Sequence, residues 1–145
     1  MSREKARELV LCLVFEKSCR REQSCESLYD YMFEELAGDL FENGDVNDSD
    51  KKYIKRTFAG VFEHAEQIDG VVSDLAVGWE YSRISKISAA LLRIAGYEIL
   101  YAGDRDVPVS VAINEAVKLS KIYDDPGAYA FVNGILAAVA KKNKT

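Results

Sequence analysis

The sequence predicts an all-α protein, and three observations carry that reading. Apolar residues recur at three- and four-residue spacing in segment after segment, and no segment competes with the two-residue period of a half-buried strand. Capping and helix-starting residues punctuate the pattern at Ser24, Pro108 and Asp125-Pro126. Arg83 to Leu100, RISKISAALLRIAGYEIL, runs for eighteen residues with no proline and one glycine. Ile84, Ile87, Leu91, Ile94 and Glu98 follow one helical row set, and Leu92, Ala95 and Ile99 widen the apolar arc. Such a helix needs cover on most sides, so it is the expected central helix against which amphipathic neighbours pack.

In chain order, Ser2 is placed to cap a first helix reaching Lys17, with Ala6, Leu9, Val10, Leu13, Val14 and Lys17 on its inner face. Ser24 opens a second, through Leu28, Tyr31, Met32, Glu35 and Leu36 to about Gly38. Asp39 to Asp50 is an acidic linker with an Asn43-Gly44 turn signal. A long helix starts at Asp48 or Ser49 and buries Ile54, Phe58, Val61, Phe62, Ala65 and Ile68. Asp69-Gly70 is expected to interrupt or kink it before Val71, Val72, Leu75 and Trp79. After the central helix and a turn from Ala102 to Asp106, Pro108 opens a helix facing inward through Val109, Ile113, Ala116, Val117 and Ser120. Asp125-Pro126 repeats that device as cap and first residue of a last helix through Phe131, Ile135, Leu136 and Val139. The total is about six or seven helices without an internal repeat.

At 145 residues the chain is long enough to bury roughly 68% of its unfolded surface without a metal or disulfide staple. Cys12, Cys19 and Cys25 are odd in number and lack C-x-x-C spacing, which points to reduced thiols and away from a zinc cluster. No apolar run approaches a membrane span and no signal-peptide core is present, so a cytoplasmic protein is expected. The net charge of -5 hides an uneven distribution: +3 over residues 1–21, -10 over 22–50 and +2 over 51–145. An anionic partner is therefore confined to part of the surface and not excluded.

The residues that suggest chemistry lie on the first helix. Arg3, Arg7, Leu11 and Phe15 succeed one another at i, i+4, placing two cations and an aromatic on one edge. Charge to hold phosphate beside a ring that stacks on a base is what single-stranded RNA recognition uses. The competing reading pairs those arginines with Glu4 and Glu8 on a solvated face and gives Phe15 to the core. Lys51, Lys52, Lys55 and Arg56 crowd the start of the long helix, either as a second basic patch or as a solvated end balanced by Asp48 and Asp50; the second reading is preferred. Asp45, Asn47 and Ser49 imitate a calcium loop, but Asp50 stands at its glycine position and Arg56 at its final glutamate. His64, the only histidine, has no Ser or Cys at a spacing that suggests a nucleophile, and no carboxylate pair or metal cluster emerges. No enzyme activity, cofactor or metal is expected.

Leu92-Arg93-Ile94-Ala95-Gly96-Tyr97-Glu98, then Val107-Pro108, then Val111-Ala112-Ile113-Asn114-Glu115-Ala116-Val117, then Phe131-Val132-Asn133-Gly134-Ile135-Leu136 resemble the successive signatures of the NusB family of transcription antitermination factors. Ala6-Arg7-Glu8 is similar to that family's arginine-rich start, and the match spans essentially the whole chain, most strongly from residue 83 onward. The resemblance implies one NusB-like domain over 1–145 made of two packed helical subdomains, about 1–80 and about 81–145, with a non-enzymatic role. It implies binding of a boxA-type single-stranded RNA together with ribosomal protein NusE, within the RNA polymerase antitermination complex on ribosomal RNA operons. By position Arg3, Lys5 and Arg7 would meet phosphates, Phe15 would replace an aromatic of the same helix, and Phe131 would lie near RNA. Asn133 and Gly134 match without an assigned role, and a glycine there could serve a close backbone approach.

The departures from the family are Glu4 within the basic run, Ala130 where a base often precedes Phe131, and Asp125-Pro126-Gly127 upstream of it. A carboxylate beside a phosphate track opposes binding, which makes RNA affinity dependent on NusE. The alternative is a protein-binding helical adaptor with little RNA affinity of its own. A methyltransferase-associated module would need a further domain and a Gly-rich nucleotide loop that this sequence lacks.

Overall fold

The computed structural model describes residues 3–36, 47–76, 84–102 and 107–143, and every regular element among them is helical. Seven α-helices succeed one another: α1 Arg3–Cys19, α2 Cys25–Tyr31, α3 Asp48–Glu63, α4 Ala65–Leu75, α5 Lys86–Tyr97, α6 Val109–Tyr123 and α7 Ala128–Asn143. π-helical turns follow α2 at Met32–Leu36 and α5 at Glu98–Ala102. Ser2, the linker through Asn43-Gly44 and Asp45, Trp79, Arg83 and the turn at Gly103 to Asp106 lie outside the described residues.

Packing divides the chain into Met1–Ala59 and Gly60–Thr145. Within the second unit α4 packs on α5 and α7. The division falls inside the continuous helix α3.

In the first unit α1 packs on α2 and buries Ala6, Leu9, Val10, Leu13 and Val14, as the spacing predicts, and also Arg7 and Leu11. Lys17, expected on the inner face, is half-buried, and its ammonium donates to the Arg21 carbonyl at 2.8 Å and to that of Gln23 at 2.5 Å, closing the chain after the helix. Ser24 caps α2 as expected, its Oγ accepting from the Ser27 N–H at 3.0 Å. At the start of α3 the Asn47 Oδ1 accepts from the Asp50 N–H at 2.8 Å, and Asp50 Oδ2 accepts from the Asn47 N–H at 3.4 Å. This is a reciprocal cap that satisfies two otherwise orphaned backbone donors.

The second unit is built around α5, which packs on α4, α6 and α7. From Ser88 to Tyr97 only Ala89 and Arg93 escape full burial, so the wide apolar arc does receive cover on most sides. Leu91 and Leu92, each 1% exposed, stabilise the unit by about 1.5–3 kcal/mol apiece. The helix starts later than the sequence suggests, because Ser85 caps it by accepting from the Ser88 N–H at 3.0 Å. Glu98, placed on the apolar row by its spacing, is indeed buried.

Four local expectations are corrected. The long helix breaks at His64, whose φ of -112° and ψ of 13° leave the helical region, and runs unbroken through Asp69-Gly70. Pro108 is the residue before α6 and not its first; its carbonyl accepts from Val111 and Ala112 at 3.0 Å. The inner face of α6 is turned toward Ala112, Ala116, Leu119 and Ser120, leaving Val109, Ile113 and Val117 half-buried. Asp125-Pro126 forms a turn ahead of α7: the Ala128 N–H donates to the Asp125 carbonyl at 3.0 Å and Gly127 adopts φ of 89°. Proline followed by a left-handed glycine is the arrangement of a type II turn.

Close backbone approach is needed elsewhere than at Gly134, where an added Cβ would meet nothing within 4 Å. At Gly60 a Cβ would stand 2.3 Å from the Tyr97 ring, and at Gly96 it would stand 2.9 Å from the Ile68 side chain. Cys12, Cys19 and Cys25 form no disulfide.

Candidate nucleic-acid interface

The edge of α1 picked out by i, i+4 spacing meets a ring that the sequence did not pair with it. Tyr53 of α3, itself 3% exposed, receives the Arg3 guanidinium 4.3 Å from its centroid and the Arg7 guanidinium at 5.6 Å. One row of α1 and one tyrosine thus hold two cations, each contact worth about 0.5–1 kcal/mol where exposed and more where water is excluded.

The two arginines differ in access. Arg3 is exposed, whereas Arg7 is 5% exposed and is a packed member of the interior. That overturns a solvated-face reading for Arg7. Lys5 points to solvent and pairs with Glu8 across one turn at 3.7 Å. Phe15 is half-buried, one turn beyond the buried Leu11.

A second cation–aromatic group lies in the same unit. Lys55 Nζ stands 5.6 Å from the Tyr29 ring centroid, and Tyr29 lies 4.6 Å from the Phe33 ring at an interplanar angle of 40°. The Tyr29 hydroxyl donates to the Lys51 carbonyl at 3.5 Å. Burial, with the Asp30 charge second, pushes its pKa up and keeps it a donor. Asp50, expected to balance the nearby lysines, is buried in the α3 cap, while Lys51, Lys52 and Lys55 are exposed.

In the second unit Phe131, half-buried on α7, lines a cleft of about 340 Å³ with Ile84, Ser85, Ser88, Asp124 and Pro126. Ser85 Oγ donates to the Asp124 carboxylate at 2.9 and 3.0 Å, Ser88 Oγ donates to its Oδ2, and the Asp125 N–H donates to its Oδ1 at 2.8 Å. The carboxylate therefore sits at the N-terminus of α5, where the helix dipole favours it. The exposed Ala130 supplies no charge, and the cleft lining beside Phe131 combines apolar residues with Ser85, Ser88 and the acids Asp124 and Asp125. Lys121 of α6 stands over the Tyr129 ring at 4.8 Å.

His64 stacks its ring on Tyr101, 3.8 Å away at 11°, and Tyr97 lies 6.3 Å from each of the two. No group of three metal-binding side chains occurs among the described residues.

A family model described as the NusB family matches residues 4–141. The chain belongs to the NusB family. Among its relatives, the Transcription antitermination protein NusB of Ruminiclostridium cellulolyticum is 41% identical over 140 residues, covering 97% of this chain and 86% of that protein. The protein of the same description from Clostridium perfringens is 38% identical over 146 residues, covering 99% and 100%. T. maritima NusB superposes with a TM-score of 0.82 at 27% identity, covering 100% of this chain and 94% of that one. The helical order described above is thus the order of a NusB-family fold, and Tyr53 is the residue of its first unit that the sequence reading missed. A tyrosine inside a basic tetrad, Lys51 to Arg56, is the signal that was available.

Proposed function

We propose that this chain is a non-catalytic, cytoplasmic transcription antitermination factor. In this reading it binds boxA-type single-stranded RNA together with ribosomal protein NusE and so supports RNA polymerase on ribosomal RNA operons. Membership of a family of transcription antitermination proteins, matched over nearly the whole chain, is the observation that carries it. Among the described residues no helix is long and apolar enough to cross a membrane.

Arg3 is the leading phosphate contact, because it is exposed and its guanidinium face rests on Tyr53 while its N–H edges remain available. Lys5 adds a mobile charge, Arg7 braces the Tyr53 ring from the interior, and Phe15 and Phe131 offer half-buried rings to bases. The acids beside Phe131 disfavour phosphate there, so Phe131 takes a base and not the backbone.

The test is binding of a labelled boxA-type RNA and a scrambled control at two salt concentrations, with and without NusE. Selective binding that strengthens with NusE and falls in Arg3→Ala supports the proposal. Absence of selectivity with NusE present moves the function to a protein-binding adaptor.

A further inference from the structure

We propose that Lys51, Lys52 and Lys55 on the first turns of α3 continue the Arg3 edge as a phosphate track, which holds single-stranded RNA beyond the boxA-type element. The proposal rests on the RNA reading of Arg3 given above. Three observations carry it.

Lys51 stands in the first turn of α3, where the helix dipole disfavours a cation, and Lys52 and Lys55 follow along the helix. Of the two first-turn acids Asp48 is exposed and Asp50 is buried and hydrogen-bonded to Asn47, so three exposed lysines face one exposed acid over residues 48–55. Such an excess of exposed positive charge attracts an anionic ligand.

All three side chains are exposed and make no ion pair among the described residues. Lys51 and Lys55 lie one turn apart on one row, with Lys52 on the next, so the charges spread along the helix. Lys55 is held over Tyr29, whose ring adjoins Phe33.

Arg3 meets the same stretch of α3, since the ring under its guanidinium is Tyr53, which stands between Lys52 and Lys55 in the chain. Cations interleaved with rings fit the backbone and bases of a single strand. Lysine, a compact point charge, reads phosphate without reading sequence.

The experiment compares the full chain with a K51Q/K52Q/K55Q variant, each with NusE present, using a boxA-type RNA by itself and the same RNA extended by a short uridine run at either end, over a salt series. Wild type should gain on the order of tenfold from the extension at low salt. Its log–log salt slope should steepen by about 2, since each single-strand phosphate contact contributes roughly 0.7. The variant should bind the short RNA like wild type, gain nothing from the extension, and melt at no lower temperature. Equal gain in both proteins overturns the proposal and leaves the RNA reading standing. Failure of wild type to bind the short RNA overturns both. Retention of a polyglutamate peptide by wild type alone, with no gain from extended RNA, assigns the patch to an acidic protein and overturns the RNA track.

Discussion

Three arginines among the described residues lie beside aromatic rings, and for Arg93 and Arg3 what else they touch separates their uses. In the second unit Arg93 stands 5.8 Å from the Phe62 ring and donates through Nε and Nη2 to both oxygens of Asp69, at 2.9 and 2.7 Å. That fork ties α5 to α4 and commits the guanidinium's directional donors to a carboxylate. In the first unit Arg3 rests on Tyr53 at 4.3 Å, is exposed, and makes no ion pair among the described residues. A ring occupies only the flat face of a guanidinium, so the arginine is oriented while its edge stays open to an anion. The same residue type therefore acts as a brace in one unit and as a binding group in the other.

Substitutions sharpen this contrast. Asp69→Ala should have the largest effect, about 2–3 kcal/mol lost in denaturant unfolding, because it strips a half-buried guanidinium of its fork partner. RNA affinity of the folded fraction should be unchanged, and a loss there would place Arg93 in the binding group after all. Tyr53→Leu should cost about 1–2 kcal/mol, since it removes the ring shared by Arg3 and Arg7, and should also weaken RNA binding. Tyr53→Phe keeps the ring and should restore both; failure to do so would shift the role from ring to hydroxyl. Gly134→Ala serves as a control on α7: an exposed helical glycine with open space around it should gain about 0.5–1 kcal/mol by thermal melting. A fall in RNA affinity in that variant would mark Gly134 as an approach point for the strand. Arg3→Ala should cost about 0.5–1 kcal/mol, the worth of its contact with Tyr53, while lowering the RNA salt slope by roughly 0.7. A large change in melting temperature would return Arg3 to the structural class.

The sequence disclosed what depends on spacing along one helix. The inner face of α1, the Ser24 cap and the breadth of the α5 arc all follow from local period and capping chemistry. What it concealed depends on a second segment. The i, i+4 row of Arg3 and Arg7 was legible, but the ring it leans on belongs to α3, and no pattern within α1 names Tyr53. The break at His64 was missed for a related reason. Asp69-Gly70 carries the stronger local signal, yet the Asp69–Arg93 fork gives Asp69 a partner on α5 and the helix continues through it. Asn47 was considered as a metal ligand, and its reciprocal bonds with Asp50 make it a cap. Phe131 was placed by family position alone, and the serine-held Asp124 beside it joins residues 36 and 39 apart in the chain, beyond the reach of any helical period.

The π-helical turn at Glu98–Ala102 leaves a mark that can be read as an insertion. A π turn accommodates one residue more than the α-helical turn it replaces, and the carbonyl of Ile99 within it is met by the Asn143 amide at 3.3 Å. Five residues at the wider π pitch turn about as far as four at the α-helical pitch, so the extra residue is absorbed and the chain beyond it keeps its phase. Tyr101 belongs to this turn, and its ring lies 3.8 Å from that of His64. The break between α3 and α4 thus leans on a ring supplied by a turn that holds one residue more than an α-helical count.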